Sequence, residues 1–140
     1  MRDVLQSFKS GRTMNEESKS KYLRISLFVA GIVFIGGIWI LGQIWPSGWS
    51  WHSSGRSHYY EMILVVYATL GVFLILASRE PEKHRSLIWF TIWSNITHAS
   101  VMAVQSFDAG NHIGHLWGDV LALYLVAGWL AYLMPRKHNT

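Results

Sequence analysis

The sequence contains no cysteine, and only 14% of its 140 residues are charged. Without cysteine the chain has no disulfide, no thiolate metal ligand and no thiol redox chemistry. Three catalytic motifs are also missing, namely the glycine-rich phosphate loop, the G-x-S-x-G nucleophile turn and the H-E-x-x-H zinc motif. These absences exclude the enzyme classes that those motifs define.

The chain is rich in apolar residues instead, since 51% of it is hydrophobic, eight residues are tryptophan and the mean hydropathy is +0.21. The apolar residues form four blocks, each close to the roughly 20 residues that a helix needs to cross the bilayer. The alternation with a period of two that is typical of a β-barrel is absent. The sequence therefore predicts an all-α integral membrane protein with helices at about 22–44, 59–78, 86–107 and 116–134.

The loops between the blocks are short, which predicts an up-down-up-down four-helix bundle. Of the twelve Lys and Arg residues, only Arg56 lies in the first or third loop; the others lie in the N-terminal flank, the second loop and the tail. By the positive-inside rule both termini are cytoplasmic. The expected divisions are a basic cytoplasmic segment 1–21, a helical domain 22–134 and a cytoplasmic tail 135–140. Met14 is an alternative start, because the first block and its basic flank do not depend on residues 1–13.

The partners that this pattern indicates are the lipid bilayer and other membrane subunits or copies of the same chain. The net charge of +4 does not indicate nucleic acid, because the basic residues flank apolar blocks and form no patch interleaved with aromatics. Small residues in the first and last blocks are candidate helix-packing positions. They are Gly31, Gly36, Gly37, Gly42, Gly118, Ala122, Ala127 and Gly128.

The third block carries a polar stripe at offsets of three and four, which places it on one helical face. Its members are Thr91, Ser94, Asn95, His98, Met102 and Gln105. The first three are interpreted as hydrogen-bonding contacts between helices, with a polar pathway as the alternative. His98 lies near mid-membrane, where an ionisable side chain is either functional or a satisfied neutral imidazole. The sequence leaves both interpretations open.

The fourth block opens with GNHIGHLWGDV, in which His112, His115 and Asp119 share one helical face if the helix begins at Asn111. A histidine and a carboxylate one turn apart can bind a metal or form a hydrogen-bonded pair. The alternative is an ordinary helix start, whose carboxylate complements the helix dipole. Glu61 stands at the same membrane boundary in the second block, so all of these groups would meet if the three helices share an interior.

Such a cluster is a candidate site for Zn, Cu or Fe. Its candidate ligands are His98, His115, Asp119, Glu61 and His112. No Glu-x-x-His pair supports it. A bis-histidine haem is disfavoured, because His98 has no histidine at matching depth on a facing helix.

Two runs of the sequence, YYEMILVVYATLGVFLILASREPEKHRSLIWFTIWSNITHASVMAVQ and GHLWGDVLALYLVAGWLAYLMPR, resemble a family of small bacterial membrane proteins with four spans and no assigned activity. The resemblance covers residues 59–136. It implies the fold alone and assigns no catalytic role to any residue.

The leading interpretation is a subunit or accessory component of a larger assembly in a bacterial cytoplasmic membrane, because a small bundle with short loops has little room for a self-contained substrate site. One alternative is a metal-binding membrane enzyme that uses the polar cluster. The other is a homo-oligomeric transporter or channel whose pathway forms between copies.

Overall fold

The computed structural model describes residues 2–49, 57–108 and 113–135, with side chains from residue 16 onward. These residues are almost all helical and contain no strand, which confirms the all-α prediction for the described part of the chain. The α-helices are α1 (Arg2–Ile32), α2 (Ile38–Ile44), α3 (Pro46–Trp49), α4 (His58–Arg79), α5 (Arg85–Asp108), α6 (Ile113–Trp117) and α7 (Asp119–Leu133). A π-helical turn (Val33–Gly37) joins α1 to α2, and a 3₁₀-helical turn (Pro81–His84) precedes α5.

Four stretches are long and apolar enough to cross a membrane, in agreement with the four blocks of the sequence. They are span one (Glu16–Ile44), span two (His58–Arg79), span three (Pro81–Phe107) and span four (Ile113–Leu133). Helix α1 runs without interruption from Arg2 into span one, so the chain is helical on both sides of residue 21. Span three begins at Pro81, ahead of the expected start at 86, because the 3₁₀-helical turn leads directly into α5.

The spans are arranged as two pairs. Spans one and two pack against each other extensively, as do spans three and four, and span one also contacts span four. Spans two and three have sparse contact, although they are neighbours in the sequence. The apolar core lies where the pairs meet and includes Leu27, Phe34, Leu74, Ile92 and Leu130.

Within the first pair, Gly31 and Gly71 bring the two backbones into direct contact. A Cβ atom added at Gly31 would lie 2.7 Å from the carbonyl oxygen of Gly71, and one added at Gly71 would lie 2.6 Å from that of Gly31. Small residues allow this approach where lipid supplies no hydrophobic drive between helices. Gly31 thus confirms one expected packing position. At Gly36 and Gly128 an added Cβ would meet no described atom within 4 Å, so these two glycines do not pack within the described chain, and their contact with another copy stays a prediction.

The two pairs are tied together by side chains of spans one and four. The indole N–H of Trp129 donates a hydrogen bond to Ser26 Oγ at 2.8 Å, and Lys19 Nζ lies 5.4 Å from the ring centroid of Tyr132. Hydrogen bonds between membrane helices contribute only about 0.6 kcal/mol on average. These contacts therefore orient the pairs, and the buried apolar side chains hold them together.

The connection between spans two and three carries a compact set of charges. Glu80 forms an ion pair with Lys83, and the hydrogen bond and charge of Lys83 hold the pKa of Glu80 below its usual value. Arg85 donates hydrogen bonds to the carboxylate of Glu82 at 3.4 Å and to the carbonyl oxygen of Pro135 at 3.0 Å. The second of these bonds fixes the start of α5 against the end of span four.

Candidate functional site

Span four is broken at Gly118, close to its beginning. Gly118 has φ −91° and ψ −107°, so α6 ends at Trp117 and α7 begins at Asp119. Backbone hydrogen bonds of 3.1 Å bridge the break, from the N–H of Gly118 to the oxygen of Gly114 and from the N–H of Ala122 to the oxygen of Gly118. The predicted fourth helix is present as span four, with a break at Gly118 that the sequence did not indicate, and the alternative start at residue 111 lies outside the described residues.

The short helix α3 packs directly on this break. A Cβ atom added at Gly114 would lie 2.5 Å from the carbonyl oxygen of Ser47, and one added at Gly118 would overlap the backbone of Gly48. The two glycines thus let the connection after span one lie against the backbone of span four. Gly118 is a packing position as expected, although its neighbour is α3 and not another span.

His115 and Asp119 form a buried pair across the break. The Nδ1 atom of His115 lies 3.0 Å from Oδ2 of Asp119, and the two residues are 0% and 6% exposed. The Oδ1 atom of Asp119 accepts a hydrogen bond of 2.8 Å from the N–H of Val120. Against an ionised Asp119, His115 donates from Nδ1, which fixes the tautomer of the imidazole. The spacing of four residues thus predicted a real contact.

Asp119 lines a cavity of about 270 Å³, hereafter the Asp119 cavity, whose wall includes residues of all four spans and of α3. Most of the wall is apolar or aromatic, and its polar or aromatic members are Trp49, Tyr59, Tyr60, Tyr67, His98, Gln105 and Asp119. Asp119 is the single carboxylate among the described lining residues, and no Lys or Arg is among them. The site therefore combines open space, aromatic rings and one buried acidic group.

Some of the polar residues that lie at similar depth in spans three and four line one cavity. His98, Met102 and Gln105 of span three line the same cavity as Asp119 of span four. Glu61 does not join them, because its side chain is 41% exposed and lies 3.9 Å from Nδ1 of His58. One residue of an α-helix turns the side chain by about 100°, so Glu61 points away from the face that carries Tyr60.

The candidate metal ligands do not assemble in the described part of the chain. No group of three His, Cys, Asp or Glu residues there is close enough to hold a metal ion. His115 contacts Asp119, His98 lies on the cavity wall, and Glu61 lies outside the cavity. His112 falls outside the described residues. The five-residue metal set is therefore not a cluster among the residues that the structure describes.

The polar stripe of span three does not hydrogen-bond across the bundle in the expected way. The hydroxyl of Thr91 donates to the carbonyl of Leu87 at 2.9 Å, and that of Ser94 donates to the carbonyl of Thr91 at 3.2 Å. Both bonds stay within α5, because a helix always offers such a hydroxyl the carbonyl one turn earlier. Asn95 is fully buried, and its amide atoms have no hydrogen-bond partner among the described residues.

His98 belongs to a row of rings that crosses the bundle. Its ring centroid lies 5.8 Å from that of Tyr67, which in turn contacts Phe34 edge to face at 5.0 Å. Tyr67 and His98 also line a second cavity, of about 410 Å³, between spans two and three. The two rings therefore form part of the wall between that cavity and the Asp119 cavity.

The aromatic wall is the part of the site that the sequence interpretation missed. Trp49, Tyr59 and Tyr60 lie at a span boundary, where tryptophan and tyrosine usually form an interfacial belt, and Tyr67 stands within an ordinary apolar span. The available signal was the spacing of seven residues between Tyr60 and Tyr67, which places both on one helical face. The hydroxyl of Tyr60 is buried and makes no hydrogen bond within the described chain.

Comparison with known proteins leaves the activity of the chain open. No curated protein sequence and no solved structure gives a significant match. A family model does match, over residues 17–138, which include all four spans except the first residue of span one. That family has no assigned activity, as the resemblance in the sequence implied. The chain belongs to the family of unknown function DUF6632.

Proposed function

We propose that the chain is a multi-pass membrane protein that binds a small molecule in the Asp119 cavity. The observation that carries the proposal is that a carboxylate only 6% exposed lines about 270 Å³ of open space where all four spans meet. Burying a charge is costly, by several kcal/mol even after relaxation, so a purely structural core would favour apolar side chains at this point. Small-molecule sites have this composition, with mostly apolar and aromatic walls and few polar groups.

We propose that the chain lies in a bacterial cytoplasmic membrane as an up-down-up-down bundle. Both termini are then inside the cell, and the Asp119 cavity lies in the outer half of the membrane. The charge distribution supports it, and so does the lining, which joins Trp49 and Tyr59 to Gln105 and Asp119. Because the chain has no cysteine, single cysteines report the orientation directly. Ser54→Cys should react with an impermeant maleimide in intact cells, and Thr140→Cys should react only after permeabilisation. The reversed pattern would contradict the orientation.

We also propose that the chain is a component of a larger assembly, formed with other subunits or with copies of itself. The sparse contact between spans two and three supports it, because the cavity of about 410 Å³ there is lined by apolar side chains such as Val66, Phe90 and Val101. A helix from a neighbouring chain would cover them. Isolation in mild detergent tests this part, since a particle heavier than one chain is expected and a lone monomer would contradict it.

Filling the Asp119 cavity should abolish ligand binding. Met102 is 8% exposed and lines the cavity, so Met102→Trp places a larger side chain in the open space. We expect at least one of three aromatic probes, neopentylbenzene, benzyltrimethylammonium or benzylsulfonate, to bind the purified chain saturably. The variant should lower that affinity by about tenfold or more, which corresponds to about 1.4 kcal/mol. Equilibrium dialysis against empty micelles measures this binding.

The matched control is Val104→Trp, which adds a tryptophan to the same helix at a side chain that is 63% exposed. Val104 does not line the Asp119 cavity, so this variant should bind the probe like the unmodified chain. Thermal unfolding of both variants checks that they remain folded. Failure of all three probes to bind, or equal binding by both variants, would contradict the proposed function.

A further inference from the structure

We infer that the Asp119 cavity selects a small organic cation, an amine or quaternary ammonium with an apolar body. The inference rests on the proposed binding function and adds the chemical class of the ligand. Three features carry it: the sign of the charge on the wall, the aromatic rings around it and the size of the space.

The wall carries one negative charge and no positive one from Lys or Arg among the described lining residues. Asp119 accepts hydrogen bonds from Nδ1 of His115 at 3.0 Å and from the N–H of Val120 at 2.8 Å, as an ionised carboxylate does. Electrostatic forces are stronger in such a poorly solvated site than in water. A cation in the cavity is therefore attracted and an anion is repelled.

The position of Asp119 at the start of α7 offers a plainer explanation of the carboxylate, because the positive end of a helix stabilises a negative charge. That explanation accounts for the tolerance of a buried aspartate. It does not account for the open space beside it or for the aromatic residues that surround that space. A bound ligand would account for both the open space and the aromatic residues.

Aromatic rings complete an environment suited to an ammonium group. Trp49, Tyr60 and Tyr67 line the cavity together with Asp119. The faces of such rings are negative, and aromatic cages are a common way to hold quaternary ammonium groups. The hydroxyl of Tyr60 is buried beside Gly42, so Tyr60 offers a bound cation its ring and not its hydroxyl.

The volume of the cavity and the groups on its wall limit which cations fit. At about 270 Å³ the cavity lies just below the range of about 300–1,000 Å³ that is typical of ligand pockets. It therefore suits one ring or a short chain attached to an ammonium group. A bare divalent ion is a poorer match, because hard cations need several oxygen ligands and the described lining provides one carboxylate.

A pair of probes with the same shape tests the inference. Benzyltrimethylammonium and neopentylbenzene differ only in a quaternary nitrogen in place of a carbon, and the cation keeps its charge at every pH. We expect the unmodified chain to bind the cation about tenfold more tightly than the neutral probe after correction for micelle partitioning. Asp119→Asn should remove this preference, so that the two probes bind the variant with equal affinity.

Three further variants keep the test decisive. Glu61→Gln removes the same charge outside the cavity and should leave the preference intact, because that side chain is 41% exposed and does not line the cavity. If Asp119→Asn does not fold, Tyr60→Leu should weaken binding of the cation selectively, whereas Tyr60→Phe should retain it. Both changes leave the carboxylate in place.

The outcomes separate the inference from the proposed function. Equal affinity of the unmodified chain for the two probes, with both lost in Met102→Trp, would overturn the cation preference and leave the binding function standing. A preference for benzylsulfonate, or one that persists in Asp119→Asn and disappears in Glu61→Gln, would also overturn it. Absence of saturable binding by every probe would overturn both.

Discussion

Replacing Gly71 with leucine is expected to separate spans one and two and to lower the free energy of unfolding by about 3 kcal/mol. An added Cβ at this position would lie 2.6 Å from the carbonyl oxygen of Gly31 and 2.9 Å from Cγ1 of Ile35. The first of these atoms is backbone, which cannot rotate away, so the helices must move apart. Reversible unfolding in mixed micelles measures the loss.

Gly128→Leu is the matched control for this prediction. An added Cβ at Gly128 would meet no described atom within 4 Å, so the new side chain would extend into lipid. A change within about 0.5 kcal/mol is expected there, as at other surface positions. Equal stability of the two variants would show that the first pair does not pack through Gly31 and Gly71.

The second large effect is expected from His115→Ala, which removes a hydrogen-bond donor to a buried carboxylate. Nδ1 of His115 lies 3.0 Å from Oδ2 of Asp119, and the histidine is 0% exposed. Hydrogen bonds to charged groups contribute about 1.5–3 kcal/mol, and the lost imidazole also leaves an empty volume. We expect the free energy of unfolding to fall by about 3 kcal/mol. Chemical denaturation in micelles measures it.

Two variants show whether the hydrogen bond is the cause. His115→Asn places an amide N–H close to the position of Nδ1 and should recover part of the lost stability. His58→Ala removes a histidine that lies 3.9 Å from Glu61 and whose side chain is 85% exposed. Exposed pairs contribute about 0–1 kcal/mol, so that loss should be small. A loss in His115→Ala no larger than the loss in His58→Ala would contradict the prediction.

Features that depend on local sequence could be predicted. The four spans follow from the length and hydropathy of continuous segments, which do not depend on the rest of the fold. The contact between His115 and Asp119 follows from a spacing of four residues, because such residues are neighbours on a helix. It persists across the break at Gly118, because backbone hydrogen bonds continue on either side of that residue.

Features that depend on how helices are rotated against one another could not be predicted. The predicted depth in the membrane is similar for Glu61 and Asp119. Depth does not specify in which direction a side chain points around the helix axis, and Glu61 lies outside the cavity. The same limit applies to glycines, since Gly31 meets Gly71 while Gly128 meets nothing in the described chain. The break at Gly118 lies where α3 packs on it, which is a contact between distant parts of the sequence.

The contact between the first and last spans sets an order of events during synthesis. The hydrogen bond between Trp129 and Ser26 joins residues 103 positions apart, whereas spans one and two are neighbours in the sequence. Chains are made from the N-terminus, so the first pair can close while the ribosome is still translating the second. The aromatic side of the Asp119 cavity, with Tyr60 and Tyr67, is therefore made early. The carboxylate that gives the cavity its charge arrives only when span four emerges.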